Sequence, residues 1–370
     1  MVSADSDMDQ TQREGRALRE PSSRVAWGAF YAVGVIVSMV LYGFMQERIM
    51  TMPYGTGANQ SNFRESIFLV FSNRVWAVLF SVLVLFARRE QLQPAVPYWK
   101  YVIVALSNVI SGACTTEALK DVSFPVEMLA KSFRMIPVMC WGIAVAEKEY
   151  GILDWLVAVA ITGGVTMFLL TGPTAARPTA AGSEGSTAIG LLLLVAALAA
   201  DGFCAVMQEV LFKEYKTSRY NQMLHINTVS AVVSCATLLG SGGFARAFTF
   251  IGTYPLVVLD IVLNSSAQVV GQWFLYGQIE FFGALAFAAT SNVRQVVSIL
   301  VSYLHFHHYI TALQVLGLVV VFAAILCKNI AGFWAPPADD KRETEPLMKP
   351  PEVVVRRAPR LPERSTFSLP

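Results

Sequence analysis

Charge is scarce in this sequence. Of its 370 residues only 15% are charged and 55% are hydrophobic, whereas a soluble domain carries about a quarter charged residues. That deficit excludes an ordinary soluble globular protein, and a mean hydropathy of +0.51 agrees. Cysteine is sparse as well. Cys114, Cys140, Cys204, Cys235 and Cys327 form no CxxC pair, so neither a disulfide framework nor a zinc site has the clustered spacing it needs. All five read as small buried apolar residues. A Walker loop, a GxSxG elbow and an HExxH helix are missing, which excludes ATP hydrolysis within the chain as a driving force. A signal peptide is not expected at residues 1–24 either. Residues 1–24 are polar and acid-containing, without a short apolar region and a small-residue cleavage site. The net charge of +2 says little alone and implies no nucleic-acid partner.

Long apolar stretches are what the chain has instead. A bilayer core about 30 Å thick needs about 20 apolar residues per helix. Ten stretches qualify, at 27–45, 67–87, 101–119, 125–146, 153–171, 188–211, 224–240, 255–277, 283–303 and 311–330. The expected fold is therefore an all-α integral membrane protein of about ten transmembrane helices. One membrane domain covers 25–331, between polar tails at 1–24 and 332–370 that are Pro-rich or charged and expected to be disordered. The small, flexible segment 172–187 reads as a linker between halves 25–171 and 188–331.

An even number of spans puts both tails on one side. With cytosolic tails, the cytosolic loops carry Arg88, Arg89, Lys100, Lys148, Lys213, Lys216 and Arg219. The opposite loops carry Arg48, Arg64, Lys120, Arg177 and Arg246. The loop bias is slight, and the basic tails complete the positive-inside argument. A glycosylation sequon, Asn59-Gln60-Ser61, falls in the first non-cytosolic loop and agrees.

The halves are faintly alike. Ser123 to Arg134 opens the fourth stretch and Phe281 to Arg294 the ninth, so that Arg134 and Arg294 take matching places. Five helices per half would invert one half against the other, as in carriers that alternate access around a midplane site.

Charged residues inside apolar helices must face protein or a watery cavity. Lys131, Arg134 and Arg294 are the sharpest such signal. A charge at the bilayer centre costs about 2.5–3.5 kcal/mol on insertion scales, so three cations there require an anion. Phosphate suits them, because Arg binds it bidentately and Lys supplies a point charge. The competing role is structural pairing with Glu117, Glu127, Asp201 or Glu209. Gln208, Asn227, Gln272 and Gln295 are uncharged polar groups that could bond a base or a sugar, or equally a neighbouring helix. Asn73-Arg74 could lie near the cavity, where Arg74 is the one obvious spare cation for a ligand with an extra phosphate, but a structural ion pair is the favoured reading of Arg74. His305, His307 and His308 read as a solvated loop, since no carboxylate accompanies them for a metal. No cofactor is implied.

At these positions the chain resembles the UAA family of nucleotide-sugar transporters, within the drug/metabolite transporter superfamily. The carrying segments are Tyr42–Met50, Phe68–Arg74, Glu117–Val126, Leu129–Met139, Asp201–Phe203 with Gln208, Phe282–Ala289 and Arg294-Gln295. The resemblance covers about residues 40 to 330. It implies ten helices as two inverted five-helix repeats, both tails cytosolic, in a Golgi or endoplasmic reticulum membrane. It also implies exchange of a cytosolic nucleotide sugar for a lumenal nucleoside monophosphate, with Lys131, Arg134 and Arg294 near the substrate phosphates. A homodimer is compatible with it.

The pattern is most similar to plant-type UDP-galactose/UDP-glucose transporters, with transporters of adenosine 3′-phosphate 5′-phosphosulfate as near relatives. Two departures bear on the substrate. Relatives usually read Cys-Gln-Tyr-Glu where this chain has Cys114-Thr115-Thr116-Glu117, and Thr-Thr-Arg-Gln where it has Ser291-Asn292-Val293-Arg294. Outside the carrier class, a membrane glycosyltransferase lacks its paired carboxylates here. A non-transporting receptor or scaffold is the alternative of another kind.

Overall fold

A computed structural model describes residues 21–55, 60–118, 121–122, 124–171, 184–306 and 311–334. Most of both tails, most of the linker, Asn59 of the sequon, and Lys120, Arg177, His307 and His308 lie outside the described residues, as does the side chain of His305. The helices are α1 (Pro21–Thr51), α2 (Ser66–Arg88), α3 (Tyr98–Ala118), α4 (Phe124–Ser132), α5 (Met135–Ala146), α6 (Ile152–Leu170), α7 (Glu184–Tyr215), α8 (Arg219–Ser241), α9 (Gly243–Thr253), α10 (Leu256–Phe306) and α11 (Ala312–Trp334). Among the described residues the β structure is one isolated bridge, Tyr54 to Ser61.

Seven helices are long and apolar enough to cross a membrane, or eight if α4 and α5 are one bent span. Their outer faces are bare. Phe86, Leu192 and Leu256 are 77%, 72% and 75% exposed, an apolar surface that a soluble protein would not present to water.

The expected fourth helix, 125–146, is not continuous. It breaks into α4 and α5, bent by 42° at Phe133 and Arg134. Pro137 supplies the reason: it lacks an N–H, and its ring collides with the carbonyl four residues back, which is that of Phe133. The turn tightens to three-residue bonds there, Phe133 N to Ala130 O at 3.0 Å and Arg134 N to Lys131 O at 3.2 Å.

The expected eighth and ninth helices follow one another without a loop: α10 is two helices that meet at a kink at Gly283 (φ 83, ψ 170). That backbone is essentially restricted to glycine, and a Cβ there would also lie 2.8 Å from Glu209 Oε1. The short helix α9 was not anticipated. It is amphipathic and packs Ala247 among Phe63, Phe68 and Leu238.

The main packing pairs are α1 with α10, α3 with α7, α2 with α8, α6 with α11 and α5 with α7. The expectation of five buried cysteines is corrected: only Cys204 is buried, while Cys140 and Cys327 are exposed. Both sit on helix sides turned away from the protein, where a small apolar residue suits lipid as well as it suits a core.

Candidate functional site

The α4–α5 break frees main-chain carbonyls, and α10 answers them. Asn292 Nδ2 donates to Ser132 O at 2.9 Å, and Gln295 Nε2 donates to Met128 O at 2.6 Å. One face of α10, spaced i and i+3, thus grips the C-terminal end of α4. A buried carbonyl left unpaired would cost about 1–3 kcal/mol, so these bonds fix the two helices together beside Arg134.

Two of the three expected cations have carboxylate partners. Lys131 Nζ pairs with Glu127 one turn back, and Glu127 is almost wholly buried. Arg134 Nε lies 2.7 Å from Asp201 Oδ2 on α7. This second contact is ionic, since the Nε–H is not aligned on the oxygen as a hydrogen bond requires. Gly202 favours the close approach: a Cβ there would stand 3.1 Å from Pro137 and crowd its backbone, so glycine lets α7 lie tightly against α5.

Arg294 is different. Its electrostatic neighbours are Arg134 and Asp201, yet among the described residues no carboxylate lies within ion-pair distance of it. Arg134, Asp201 and Arg294 therefore form a cluster with an uncompensated positive charge, set where α5, α7 and the second part of α10 meet.

The uncharged candidates divide. Asn227 and Gln272 bond one another in both directions, Asn227 Nδ2 to Gln272 Oε1 at 3.1 Å and Gln272 Nε2 to Asn227 Oδ1 at 3.3 Å. Asn227 also donates to Met223 O at 2.7 Å and accepts from Arg74 Nη1 at 3.1 Å. Gln208 donates to the Tyr276 hydroxyl at 3.4 Å, within the same interior. Arg74 overturns the ion pair expected of it, because its partner is the neutral Asn227 oxygen. It lies near Cys204 and Tyr276, and Cys204 also neighbours Asp201 and Arg134. The turn of α7 from Asp201 to Cys204 thus lies within the electrostatic reach of both Arg74 and Arg134.

Glu209, one turn farther along α7, does not join this cluster. Its Oε2 accepts from the Ala284 amide at 2.8 Å, and its Oε1 meets Lys148 Nζ at 2.5 Å and Lys213 Nζ at 2.9 Å. A carboxylate at a helix N-terminus is stabilising, and this one caps the segment that begins after Gly283. Asn292, Asp201 as the chosen counter-ion, and the Arg74–Asn227 contact were not singled out by sequence. The surplus polar residues inside apolar stretches were the available signal. What the assembled groups can do is bind an anion: guanidinium groups with little neutralisation, in a protein interior, suit phosphate.

The UAA transporter family is matched over residues 28–332. UDP-galactose/UDP-glucose transporter 5B of Arabidopsis thaliana is 36% identical, across 88% of this chain and 92% of its own length. Adenosine 3′-phospho 5′-phosphosulfate transporter 1 of Dictyostelium discoideum is 37% identical, across 80% of this chain and 82% of its own length. A solved crystal structure shares the fold with a TM-score of 0.60 at 11% identity, covering 82% of this chain and 96% of its own.

Proposed function

This chain belongs to the UAA transporter family, and on that footing we propose that it is a nucleotide-sugar antiporter. It carries UDP-galactose or UDP-glucose from the cytosol into the lumen of the Golgi or endoplasmic reticulum and returns UMP. Its ten spans form two inverted five-helix halves, with both tails cytosolic.

The helix count supports this reading. α4 and α5 make one bent span, Gly283 divides α10 into two, and Ala312–Cys327 is a shorter apolar helix; with the remaining six long helices these make ten. The packing supports it further. Exchanging each helix of the first half for its counterpart in the second turns the α1–α10 pair into the α7–α3 pair, and leaves α2–α8 and α6–α11 unchanged. That is the contact pattern of a two-fold related pair of halves. Gly164 and Gly317 meet in the same reciprocal way: a Cβ on either would fall 2.8 Å or 2.7 Å from the other's carbonyl oxygen.

The observation that carries the function is the Arg134–Asp201–Arg294 cluster, drawn from both halves. The substrate phosphates bind Arg294 first, because it has no carboxylate to displace. Lys131 and Arg134 exchange part of their carboxylate contact for phosphate. Gln295, through its bond to Met128 O, holds α10 so that Arg294 faces the interior. Rocking of the halves then exposes the loaded site to the other side. The phosphosulfate donor is the second reading, since its transporters are related to this chain at the same level of identity.

The test is uptake into liposomes containing the purified protein and trapped UMP or AMP. UDP-galactose, UDP-glucose and the phosphosulfate donor are offered in parallel. Uptake of a UDP-hexose that requires trapped UMP is expected. Uptake of the phosphosulfate donor alone would replace the substrate named here. Binding of UDP-hexose without accumulation would point to a receptor.

A further inference from the structure

We propose that Arg74 is a third arginine of the anion site, and that it fixes the charge of the bound ligand at two. The inference rests on the carrier reading above and deepens it.

Arg74 sits eight residues into α2, deep in an apolar helix where an unpaired charge is costly. Two facts mark it as a ligand group. First, its contact is neutral: Nη1 donates to Asn227 Oδ1 at 3.1 Å, and among the described residues no carboxylate lies within ion-pair distance of it. Second, it is held in place on both sides. Asn73 beside it accepts from Asn264 Nδ2 at 3.2 Å and Ser265 Oγ at 2.8 Å. Asn227 is locked by its two-way amide pair with Gln272 and its bond to Met223 O. All four hydrogen-bonding positions of the Asn227 amide are engaged, so Asn227 serves as a positioning residue for Arg74 and does not read the base itself, and Gln272 holds Asn227 in place. The guanidinium has further donors beyond the one it spends on Asn227.

Ala77, one turn after Arg74 on α2, belongs to the same buried core as Cys204 of α7, and Arg134 lies 2.7 Å from Asp201, three residues before Cys204. Arg74 and Arg134 therefore approach one stretch of α7, and Arg294 has Arg134 and Asp201 as its electrostatic neighbours. Lys131 is balanced by Glu127. Arg74, Arg134 and Arg294 against Asp201 leave a net charge of two. The diphosphate diester of a nucleotide sugar carries one charge on each phosphate, and a nucleoside monophosphate carries about −1.5 to −2 at neutral pH. Each would neutralise the site, so exchange carries no net charge through the apolar interior. The phosphosulfate donor adds to its phosphosulfate a 3′-phosphate monoester of about two further charges and would overfill it.

The test is ligand-induced thermal stabilisation of the purified full-length protein in detergent. The probes are UMP, uridine, UDP-galactose and the phosphosulfate donor, and the variants are Arg74→Gln, Arg74→Lys and Asn227→Asp. Arg74→Gln should weaken UMP and UDP-galactose by about tenfold, the size of one lost bond to a charged group. It should leave uridine unchanged, and Arg74→Lys should restore part of the loss. Asn227→Asp is the decisive arm, because it hands Arg74 a carboxylate. A ligand-binding arginine is thereby neutralised and nucleotide affinity falls. The midpoint of this variant is not the criterion, because the substitution also forfeits the donor bonds from Asn227 to Met223 O and Gln272; nucleotide affinity is, and affinity equal to the parent's would make the arginine structural and overturn the proposal. Variants that fail to fold are replaced in the same assay by Gln272→Glu, which changes the positioning pair without touching Arg74. Its UMP affinity should fall, and unaltered affinity would count against the positioning role. Wild-type protein stabilised by the phosphosulfate donor and not by UDP-galactose would defeat the charge-of-two statement and the substrate named above. The Arg74 contact would then be read from the same variants with that donor.

Discussion

Glu209 Oε2 accepts the Ala284 amide hydrogen at 2.8 Å, directly after the Gly283 break in α10, and its other oxygen is shared by Lys148 and Lys213. One buried carboxylate thus joins α7, the start of the second α10 segment and the turn after α5. Removing one partner of a buried pair costs about 3–5 kcal/mol, less where the lysines can reach water. Glu209→Ala should therefore lower the thermal midpoint most, and Glu209→Gln less, because its amide oxygen can still accept from Ala284. Equal midpoints for both variants and the parent would remove the capping role.

Gly283 is tied to the same feature. Gly283→Ala demands a positive φ of a residue with a Cβ and drives that Cβ against Glu209. The backbone strain alone is of order 1–3 kcal/mol. Reduced yield of folded protein and a lower midpoint are expected in fluorescence-detected size exclusion.

Lys131 and Glu127 offer a charge exchange. Lys131→Gln leaves Glu127 buried and unpaired, so loss of activity alone would be ambiguous. The double variant Lys131→Glu with Glu127→Lys restores the pair but moves the cation. The midpoint should recover while uptake stays at least tenfold down. Full recovery of uptake would reduce Lys131 to a structural residue.

Matched charges predict the electrical behaviour of exchange. At pH 7.5 a UDP-hexose entering against UMP should produce no transient current on a solid-supported membrane. Below about pH 6, the second ionisation of a phosphate monoester, UMP becomes a monoanion. Exchange should then carry negative charge inward with the sugar nucleotide and produce a current. A current of equal size at both pH values would contradict the balance.

The long helices were legible in the sequence because 20 apolar residues in a row have few other solutions. The break before Pro137 was partly legible, since the residue that bends α4 into α5 is visible, though the bend at Arg134 was not drawn from it. α9 was not legible: its apolar residues lie on one face of an 11-residue helix, which no 20-residue stretch detects. The cations of the site were legible as misfits in apolar helices. Their partners were not. Asp201 is distant in sequence from Arg134, and choosing it over Glu117, Glu127 or Glu209 required the close approach at Gly202. Arg74 was legible as a residue near the cavity, but a structural ion pair was the favoured reading of it. That it rests on the neutral Asn227 depends on the packing of α2 against α8.

Arg294 tests the central claim most directly, because it is the cation drawn from the second half with no carboxylate partner. Arg294→Gln should be compared with the parent in UMP-loaded liposomes, for UDP-hexose uptake, and in detergent, for the ligand-free thermal midpoint. Uptake should fall by more than tenfold while the midpoint stays level or rises, since a desolvated cation kept for function costs stability. Uptake at the parental rate, or a loss of uptake matched by a fallen midpoint, would contradict a substrate site at Arg294.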